Sequence, residues 1–188
     1  MRCFIALGWR EGPAAALERW LDQTRAEFPE LAVTPAENLH LTMAFLGEVS
    51  LELAGAAGEA MALSWASEGD GWPLRWGAPG VFPSRSRPQV LWLGVDDADG
   101  RLDELHRSLS AALRRGGLPV EARPYRPHLT LARLRRPAPD RDRREAILAH
   151  LATLPPLPDS RVASLILYRS FLGGRHAVHQ PLRTAGMI

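Results

Sequence analysis

Cysteine and lysine are almost missing from this 188-residue chain. The single cysteine, Cys3, excludes an internal disulfide and any metal site built from several thiolates. All 23 basic residues are arginine, which, with the many alanines, glycines and prolines, fits the codon bias of a GC-rich genome. The net charge is only +2, so the chain is not expected to coat nucleic acid nonspecifically. Five arginines nevertheless predict a local basic patch: Arg123, Arg126, Arg133, Arg135 and Arg136.

Long hydrophobic runs are missing as well. No apolar stretch approaches the roughly 20 residues that a membrane-spanning helix requires. The apolar run within Met1–Gly8 is short and lacks the length and cleavage region of a signal peptide, so it predicts a first strand. We therefore expect a cytoplasmic protein that does not associate with membranes.

Strand-like and helix-like segments alternate along the chain. Helices are predicted at Pro13–Phe28, Leu51–Ser67, Leu102–Arg115 and Asp140–Leu151, with Ser50 and Asp99 as the N-caps of the second and third. Strands are predicted at Arg2–Leu7, Leu31–Thr34, Leu39–Leu46, Leu74–Val81, Val90–Val95, His128–Leu134, Val162–Tyr168 and Ala177–Leu182, the last two joined through Gly173-Gly174. The proline-containing segment Phe82–Pro88 is predicted to be a loop. The class is α+β, with mostly antiparallel strands and helices outside, and no linker divides residues 1–188 into separate domains.

One pattern occurs twice, at His40-Leu41-Thr42-Met43-Ala44 and at His128-Leu129-Thr130-Leu131-Ala132. With six histidines and six threonines in the chain, only about 0.2 His-x-Thr matches are expected by chance. Residues i and i+2 of a strand share a face, so each histidine and its threonine point the same way. Two such strands related by a pseudo-two-fold axis would surround one cavity with two imidazoles and two hydroxyls.

These side chains suit phosphoryl chemistry without a metal or cofactor. A neutral imidazole can accept a proton from water while a protonated one donates to the leaving oxygen. The hydroxyls of Thr42 and Thr130 can donate to the phosphate oxygens, on which charge accumulates in the transition state. His-x-Thr is not a metal-ligand spacing, and no carboxylate cluster accompanies the histidines. The alternative is that both segments are core strands, but buried histidines and threonines without partners would be costly.

The two motifs resemble those of the 2H phosphoesterase superfamily, and within it the RNA 2′,3′-cyclic phosphodiesterases, also called 2′-5′ RNA ligases. The resemblance rests on Glu37-Asn38-Leu39-His40-Leu41-Thr42 and Arg126-Pro127-His128-Leu129-Thr130-Leu131-Ala132-Arg133, with weaker matches over nearly the whole chain. It implies a bilobal fold in which two sheets line a central cleft, with His40 as general acid and His128 as general base. It also implies hydrolysis of RNA ends bearing a 2′,3′-cyclic phosphate to a 2′-phosphomonoester, with slow reverse 2′-5′ joining. The sequence departs from the family at Phe171, where an acidic residue is frequent.

Four further residues are candidates for substrate binding: Arg133, Phe45, Tyr125 and Arg126. Arg133 and Phe45 each follow their histidine by five residues, so they reach the cleft only if the strand ends or bulges there. Tyr125 and Arg126 immediately precede the second motif and could line its rim. His106 is expected to be exposed, and His176 and His179, three apart on a strand, make a poor metal pair.

Several functions remain open from the residues alone. A related enzyme could act on a cyclic nucleotide, an ADP-ribose cyclic phosphate or a 2′-5′ oligoadenylate. A nucleotide-binding module could use the same cleft without turnover, and a purely structural protein would need neither histidine. No obligate protein partner is evident, and a monomer is expected.

Overall fold

The computed structural model describes residues 1–135, 139–173 and 176–187, so Arg136 of the predicted basic patch and Gly174 of the predicted strand connection lie outside the described residues. The strands are β1 (Arg2–Trp9), β2 (Leu31–Val33), β3 (Thr42–Glu48), β4 (Trp72–Ser84), β5 (Arg87–Asp96), β6 (His128–Leu134), β7 (Ser160–Phe171) and β8 (Val178–Gly186). The helices are α1 (Ala14–Glu27), α2 (Leu51–Trp65), α3 (Arg101–Arg115) and α4 (Arg141–Leu151), and a short 3₁₀ helix covers Ala36–Asn38. The predicted α+β class is confirmed. None of the helices in the described ranges is long and apolar enough to cross a bilayer.

The strands form two antiparallel sheets that share β4. In the first lobe β3 pairs with β1, β1 with β7, and β7 with β8. In the second lobe the order is β2-β6-β5-β4. The long strand β4 joins the lobes, because its start at Trp72–Leu74 pairs with β7 while the remainder pairs with β5.

Each lobe has its own hydrophobic core, and one helix of each half, α1 or α3, packs on the sheet of the other lobe. Helices α2 and α3 pack on the first sheet, where Met61, Leu105 and Leu109 meet Ile5 and Leu7. Helices α1 and α4 pack on the second sheet, through residues such as Leu17, Leu21, Phe28 and Ile147. Thus α1 follows a strand of the first sheet but covers the second, while α3 does the reverse. This exchange ties the two lobes together.

The two halves of the chain repeat the same order of elements at an offset of 88 residues, the separation of the two histidine motifs. Strand β1 corresponds to β5, helix α1 to α3, strand β3 to β6, helix α2 to α4, and strand β4 to β7. In the described part of the chain, β2 and β8 have no counterpart in the other half. The fold is therefore a pseudo-two-fold arrangement to which two unique strands are added.

Two local predictions are wrong. Residues Phe82–Pro88 form the end of a β-hairpin rather than a loop, since β4 runs to Ser84, β5 begins at Arg87, and only Arg85 and Ser86 form the turn. The prolines are tolerated because Pro83 pairs with Pro88 where β4 has no second neighbour among the described strands, and an edge strand needs no N–H on its outer side.

The N-cap of α3 also differs from the prediction. The N-cap position is Gly100, and two carboxylates accept the first N–H groups of the helix: Asp97 those of Leu102 and Asp103, each at 2.9 Å, and the predicted Asp99 that of Arg101 at 3.4 Å. Gly100 adopts a left-handed conformation (φ 71°), and this brings the carboxylate two residues further back against the helix start. The predicted cap at Ser50 is confirmed, because its hydroxyl accepts the N–H of Leu53 at 3.2 Å, a contact of the kind worth about 1 kcal/mol.

Candidate active site

The two His-x-Thr segments meet where the lobes join. Leu41 and Leu129, the middle residues of the two segments, form an isolated antiparallel bridge. Both leucines are fully buried, one in each core. Since side chains alternate along a strand, the histidine and threonine that flank each leucine face away from the core. In this register each histidine lies opposite the threonine of the other motif, so all four side chains face one cleft.

Both motif histidines are held by the same local hydrogen bond. Nδ1 of His40 lies 2.7 Å from the carbonyl oxygen of Asn38, and Nδ1 of His128 lies 2.7 Å from that of Arg126. A carbonyl oxygen only accepts, so Nδ1 carries the proton in each ring. The basic nitrogen of the neutral ring is therefore Nε2, which is the atom left free for a substrate.

Burial is the main cause that lowers the pKa of His40, and the positive charges of His179, His128 and Arg133 act in the same direction. Its hydrogen bond to the Asn38 carbonyl opposes them. Burial also lowers the pKa of His128, with Arg133 adding to the effect and the Arg126 carbonyl opposing it. The charge of His128 is among those that act on His40, so the two rings lie close enough to interact electrostatically. Burial and the neighbouring positive charges thus bias both rings toward the neutral form.

A β-bulge brings Arg133 to the side of the cleft. Arg133, Thr130 and His128 pair with three alternate residues of β5, namely Val90, Trp92 and Gly94. Alternate residues of a strand share a face, so their three partners do so as well. The extra residue on β6 is taken up where the register shifts between Leu91 and Trp92. Arg133 is exposed, and its charge affects the pKa of both motif histidines.

The first motif contains the equivalent bulge. Phe4 and Ala6, alternate residues of β1, pair with Phe45 and Thr42, and the register shifts between Ile5 and Ala6. Phe45 therefore shares the face of Thr42, although its offset on an ideal strand would turn it away. Its side chain is 56% exposed, and its ring lies 6.2 Å from that of Phe4. An exposed aromatic ring at this place is available for stacking.

Tyr125 is fixed between the two motifs rather than lying free at the rim. Its hydroxyl donates to the carbonyl oxygen of Thr42 at 3.2 Å and contacts Sδ of Met43 at 3.1 Å. Its ring stacks on His106 with a centroid separation of 3.9 Å, so the prediction that His106 is simply exposed is wrong. Burial raises the pKa of the Tyr125 phenol, which stays protonated and keeps donating. Arg126, by contrast, is exposed.

A hollow of about 390 Å³ lies beside His128. Arg126, Pro127 and Tyr125 line it together with two aromatic residues of the β4–β5 hairpin, Phe82 and Trp92. These two rings stack on each other at 4.9 Å, and Phe82 meets the His128 ring edge-on at 5.0 Å. The hollow thus has an aromatic wall next to a motif histidine and an exposed arginine at its edge.

The aromatic residues that surround His40 were not predicted from the sequence. Phe4 packs against the His40 ring at 4.7 Å and stacks on Tyr168 at 5.2 Å. His179, on β8, meets His40 edge-on at 5.3 Å. The repeat could have found one of them, since Phe4 and Trp92 are 88 residues apart and each neighbours its own motif histidine. Nothing in the sequence pattern pointed to His179.

The arrangement can transfer protons on both sides of one phosphate. Two imidazoles with free Nε2 atoms, two threonines and an arginine converge on the cleft. Among the described residues, no carboxylate is one of the charges that act on the two imidazoles. In the described ranges, no group of three or more His, Cys, Asp or Glu side chains is arranged to hold a metal ion. Such a set fits acid–base catalysis on a phosphodiester.

The fold and the site together define the two-histidine (2H) class. The chain belongs to the 2′-5′ RNA ligase superfamily, whose family model matches residues 13–171. It is 34% identical over 134 residues to the RNA 2′,3′-cyclic phosphodiesterase of Escherichia coli K12, covering 70% of this chain and 71% of that protein.

Two further relatives extend the comparison. A protein of the same name from Geobacillus stearothermophilus is 31% identical over 130 residues, which are 69% of this chain and 41% of that relative. The chain therefore spans less than half the length of the Geobacillus protein. The crystal structure of E. coli LigT complexed with 3′-AMP superimposes with a TM-score of 0.71 at 29% identity, covering 99% of this chain and 97% of LigT.

Proposed function

We propose that this protein is an RNA 2′,3′-cyclic phosphodiesterase that opens the terminal cyclic phosphate to a 2′-phosphomonoester. The observation that carries the proposal is the Leu41–Leu129 bridge, which turns both His-x-Thr pairs onto one cleft. The names of the E. coli and Geobacillus relatives support the substrate class. The reaction in reverse, with an RNA 5′ hydroxyl in place of water, would join ends through a 2′-5′ linkage and is a secondary activity.

The mechanism uses the two imidazoles on opposite sides of the phosphorus atom. Nε2 of His128 accepts a proton from water as the water oxygen bonds to phosphorus. The bond from phosphorus to O3′ breaks, and Nε2 of protonated His40 donates its proton to O3′. Each such proton transfer is typically worth about 10²- to 10⁴-fold in rate. The assignment of acid and base follows the family resemblance.

Other groups stabilise the charge that develops. The hydroxyls of Thr42 and Thr130 donate to the non-bridging oxygens, and Arg133 pairs with the same charge. The bound phosphate is itself an anion, so it raises the pKa of both imidazoles and offsets the lowering by burial and by Arg133. It thereby favours the protonated His40 that the mechanism requires. Since His128 has to be neutral to accept a proton, the rate should follow a bell-shaped pH profile.

The aromatic residues bind the nucleoside. Phe82 and Trp92 offer a wall on which the base next to the phosphate can stack, while Arg126 lies at its edge. Phe45 offers a second exposed ring on the other side of the cleft. Base stacking of this kind tolerates every base, so we expect little sequence preference.

Product analysis on a defined oligoribonucleotide with a 2′,3′-cyclic end tests the proposal. We expect a 2′-phosphomonoester and a higher kcat/KM than for a free cyclic mononucleotide. A 3′-phosphomonoester would reverse the roles of the bonds and overturn the mechanism. Faster turnover of a cyclic mononucleotide, an ADP-ribose cyclic phosphate or a 2′-5′ oligoadenylate would overturn the RNA assignment, and binding without turnover would make the protein a nucleotide-binding module.

We also propose that residues 1–188 act as one bilobal unit, as a monomer in the cytoplasm. The continuous hydrogen bonding through β4 and the exchange of helices between lobes support a single unit. One cooperative thermal transition and a light-scattering mass near 20.7 kDa are expected. Two separate transitions would contradict the single unit, and a dimer mass would contradict the monomer.

A further inference from the structure

A third histidine lies against the proposed general acid. His179 is on β8, which has no counterpart in the other half of the described chain. Its ring meets His40 at 5.3 Å with an interplanar angle of 82°, and it also meets Phe4 edge-on at 4.9 Å. Nδ1 of His179 is enclosed and finds no hydrogen-bond partner among the described residues. The side chain is therefore packed against the site and only partly exposed to solvent.

The other half of the molecule has a non-titratable ring at the matching place. Phe82 meets His128 at 5.0 Å with an interplanar angle of 83°, almost the same geometry. At the offset of 88 residues, Ser170 is the counterpart of Phe82. Ser170 pairs with His179 across the β7–β8 ladder, so the His179 ring lies where the second motif has the phenyl ring. One motif histidine thus has a phenyl neighbour and the other an imidazole neighbour, in equivalent positions.

The segment that carries His179 is also anchored to the turn that holds His40. Nδ2 of Asn38 donates to the carbonyl oxygen of Ala177 at 2.7 Å, two residues before His179. The carbonyl of the same Asn38 accepts Nδ1 of His40. The contacts form a closed ring through Asn38, His40, His179 and Ala177, so a movement of β8 would move the His40 imidazole.

We propose that His179 is a positioning residue that keeps the His40 imidazole hydrogen-bonded to the Asn38 carbonyl oxygen. Its charge also makes His40 and His128 differ in how they take up protons. The catalytic part of this statement rests on the proposed function. At low pH a protonated His179 repels a protonated His40, whereas Phe82 has no such effect on His128. The pair takes up its two protons in two coupled steps.

The groups that face His40 come from several elements. Strand β6 presents His128 and Arg133, β8 presents His179, and β1 presents the ring of Phe4. Tyr168 of β7 lies behind them, against Phe4 and His179. Burial raises the pKa of the Tyr168 phenol, so that ring stays neutral. Burial lowers the pKa of His179, in agreement with its enclosed nitrogen. Among the described residues, the charges acting on His40 are all positive, and His179 acts most strongly of them.

The test compares His179→Phe, which keeps an edge-on ring without charge, with His179→Ala, which removes both. The readouts are the NMR titration of the His40 ring in the free protein, and kcat and KM on an RNA with a 2′,3′-cyclic end. A His176→Gln variant is the matched control, because His176 lies near β8 but lines a separate cleft with Glu18 and Asp22. A reciprocal Phe82→His variant places an imidazole beside His128.

We expect the His40 titration of the natural protein to show an inflection from the protonation of His179, and this inflection to be absent in His179→Phe, whereas the influence of His128 remains in both proteins. His179→Ala should lower kcat about 2- to 10-fold, the equivalent of one lost edge-to-face contact, while His179→Phe restores it. The Phe82→His variant should add an inflection to the His128 titration, and His176→Gln should change neither curve nor rate.

Identical His40 titrations in the natural protein and His179→Phe, or an unchanged kcat in His179→Ala, would overturn the inference. The NMR titration needs no substrate. A protein inert toward cyclic phosphates would therefore refute the proposed function while the role of His179 in the His40 titration is still decided. An active protein with unchanged titrations would refute this inference alone.

Discussion

Replacing Arg133 with glutamine separates charge from shape at the cleft. Arg133 is exposed on β6 and reaches the cleft through the bulge in the β5–β6 ladder. A charge-assisted hydrogen bond contributes about 1.5–3 kcal/mol, so its loss should lower kcat/KM by about 10- to 150-fold. Because glutamine retains hydrogen-bonding capacity, we expect a loss near the lower end of this range.

The same substitution has a signature in the pH profile. The charge of Arg133 holds the pKa values of both His40 and His128 down. Without that charge both pKa values rise, so both limbs of the bell-shaped profile of kcat/KM should move to higher pH. A substitution that only disturbed the fold would lower the rate without moving both limbs together.

The assay is the initial rate of hydrolysis of an oligoribonucleotide with a 2′,3′-cyclic end, measured across the acidic and basic limbs. Arg107→Gln is the control, since Arg107 is an exposed arginine of α3 paired with Asp103. It should leave the rate and the profile unchanged. An Arg133→Gln protein with the natural kcat/KM, or with limbs at their original pH, would refute the reasoning from the bulge.

Three further predictions concern the rest of the site. Tyr125→Phe removes the hydroxyl that donates to the Thr42 carbonyl, and should cost about 0.5–1.5 kcal/mol of unfolding free energy together with part of kcat; denaturant unfolding and kinetics check this, and unchanged values of both would contradict it. Leu129→Ala opens a cavity beneath the bridge and should cost about 2–5 kcal/mol, read as a lower midpoint of urea unfolding; a loss below about 1 kcal/mol would show that the bridge is not part of the core. Removing divalent ions with EDTA should leave the hydrolysis rate unchanged, and inhibition reversed by Mg²⁺ or Zn²⁺ would refute the two-histidine mechanism.

Local patterns in the sequence predicted most of the secondary structure. All four helices and the strands carrying the two motifs were predicted within a few residues, because apolar spacing and caps are properties of short segments. The prolines around Phe82 led to the wrong prediction of a loop, because a strand edge that lacks a second neighbour accepts proline. Whether a proline lies at such an edge depends on distant pairing.

The candidate site was also predictable only where local patterns determine it. The duplicated motif identified His40 and His128, and strand alternation predicted that their threonines share their face. Arg133 and Phe45 were expected to reach the cleft only if their strands bulge, and bulges in two ladders meet that condition. A bulge is a mismatch between two strands, so neither strand alone reveals it.

The neighbours of the histidines were harder to predict. The contact between His179 and His40 joins residues 139 positions apart through strand pairing on β7 and β8. Tyr125 was predicted as a rim residue, but its hydroxyl holds the backbone of the opposite motif. Such contacts depend on how the lobes meet, which no local pattern records.

The rate of cyclic phosphate opening by His40→Ala, His128→Ala and the double variant tests most directly whether the two imidazoles serve one phosphate. If they act as a unit, each single variant should lose at least about 10²-fold in kcat, and the double variant should lose far less than the product of the two losses. A single variant that retained the natural rate, with its fold intact by circular dichroism, would contradict the shared cleft.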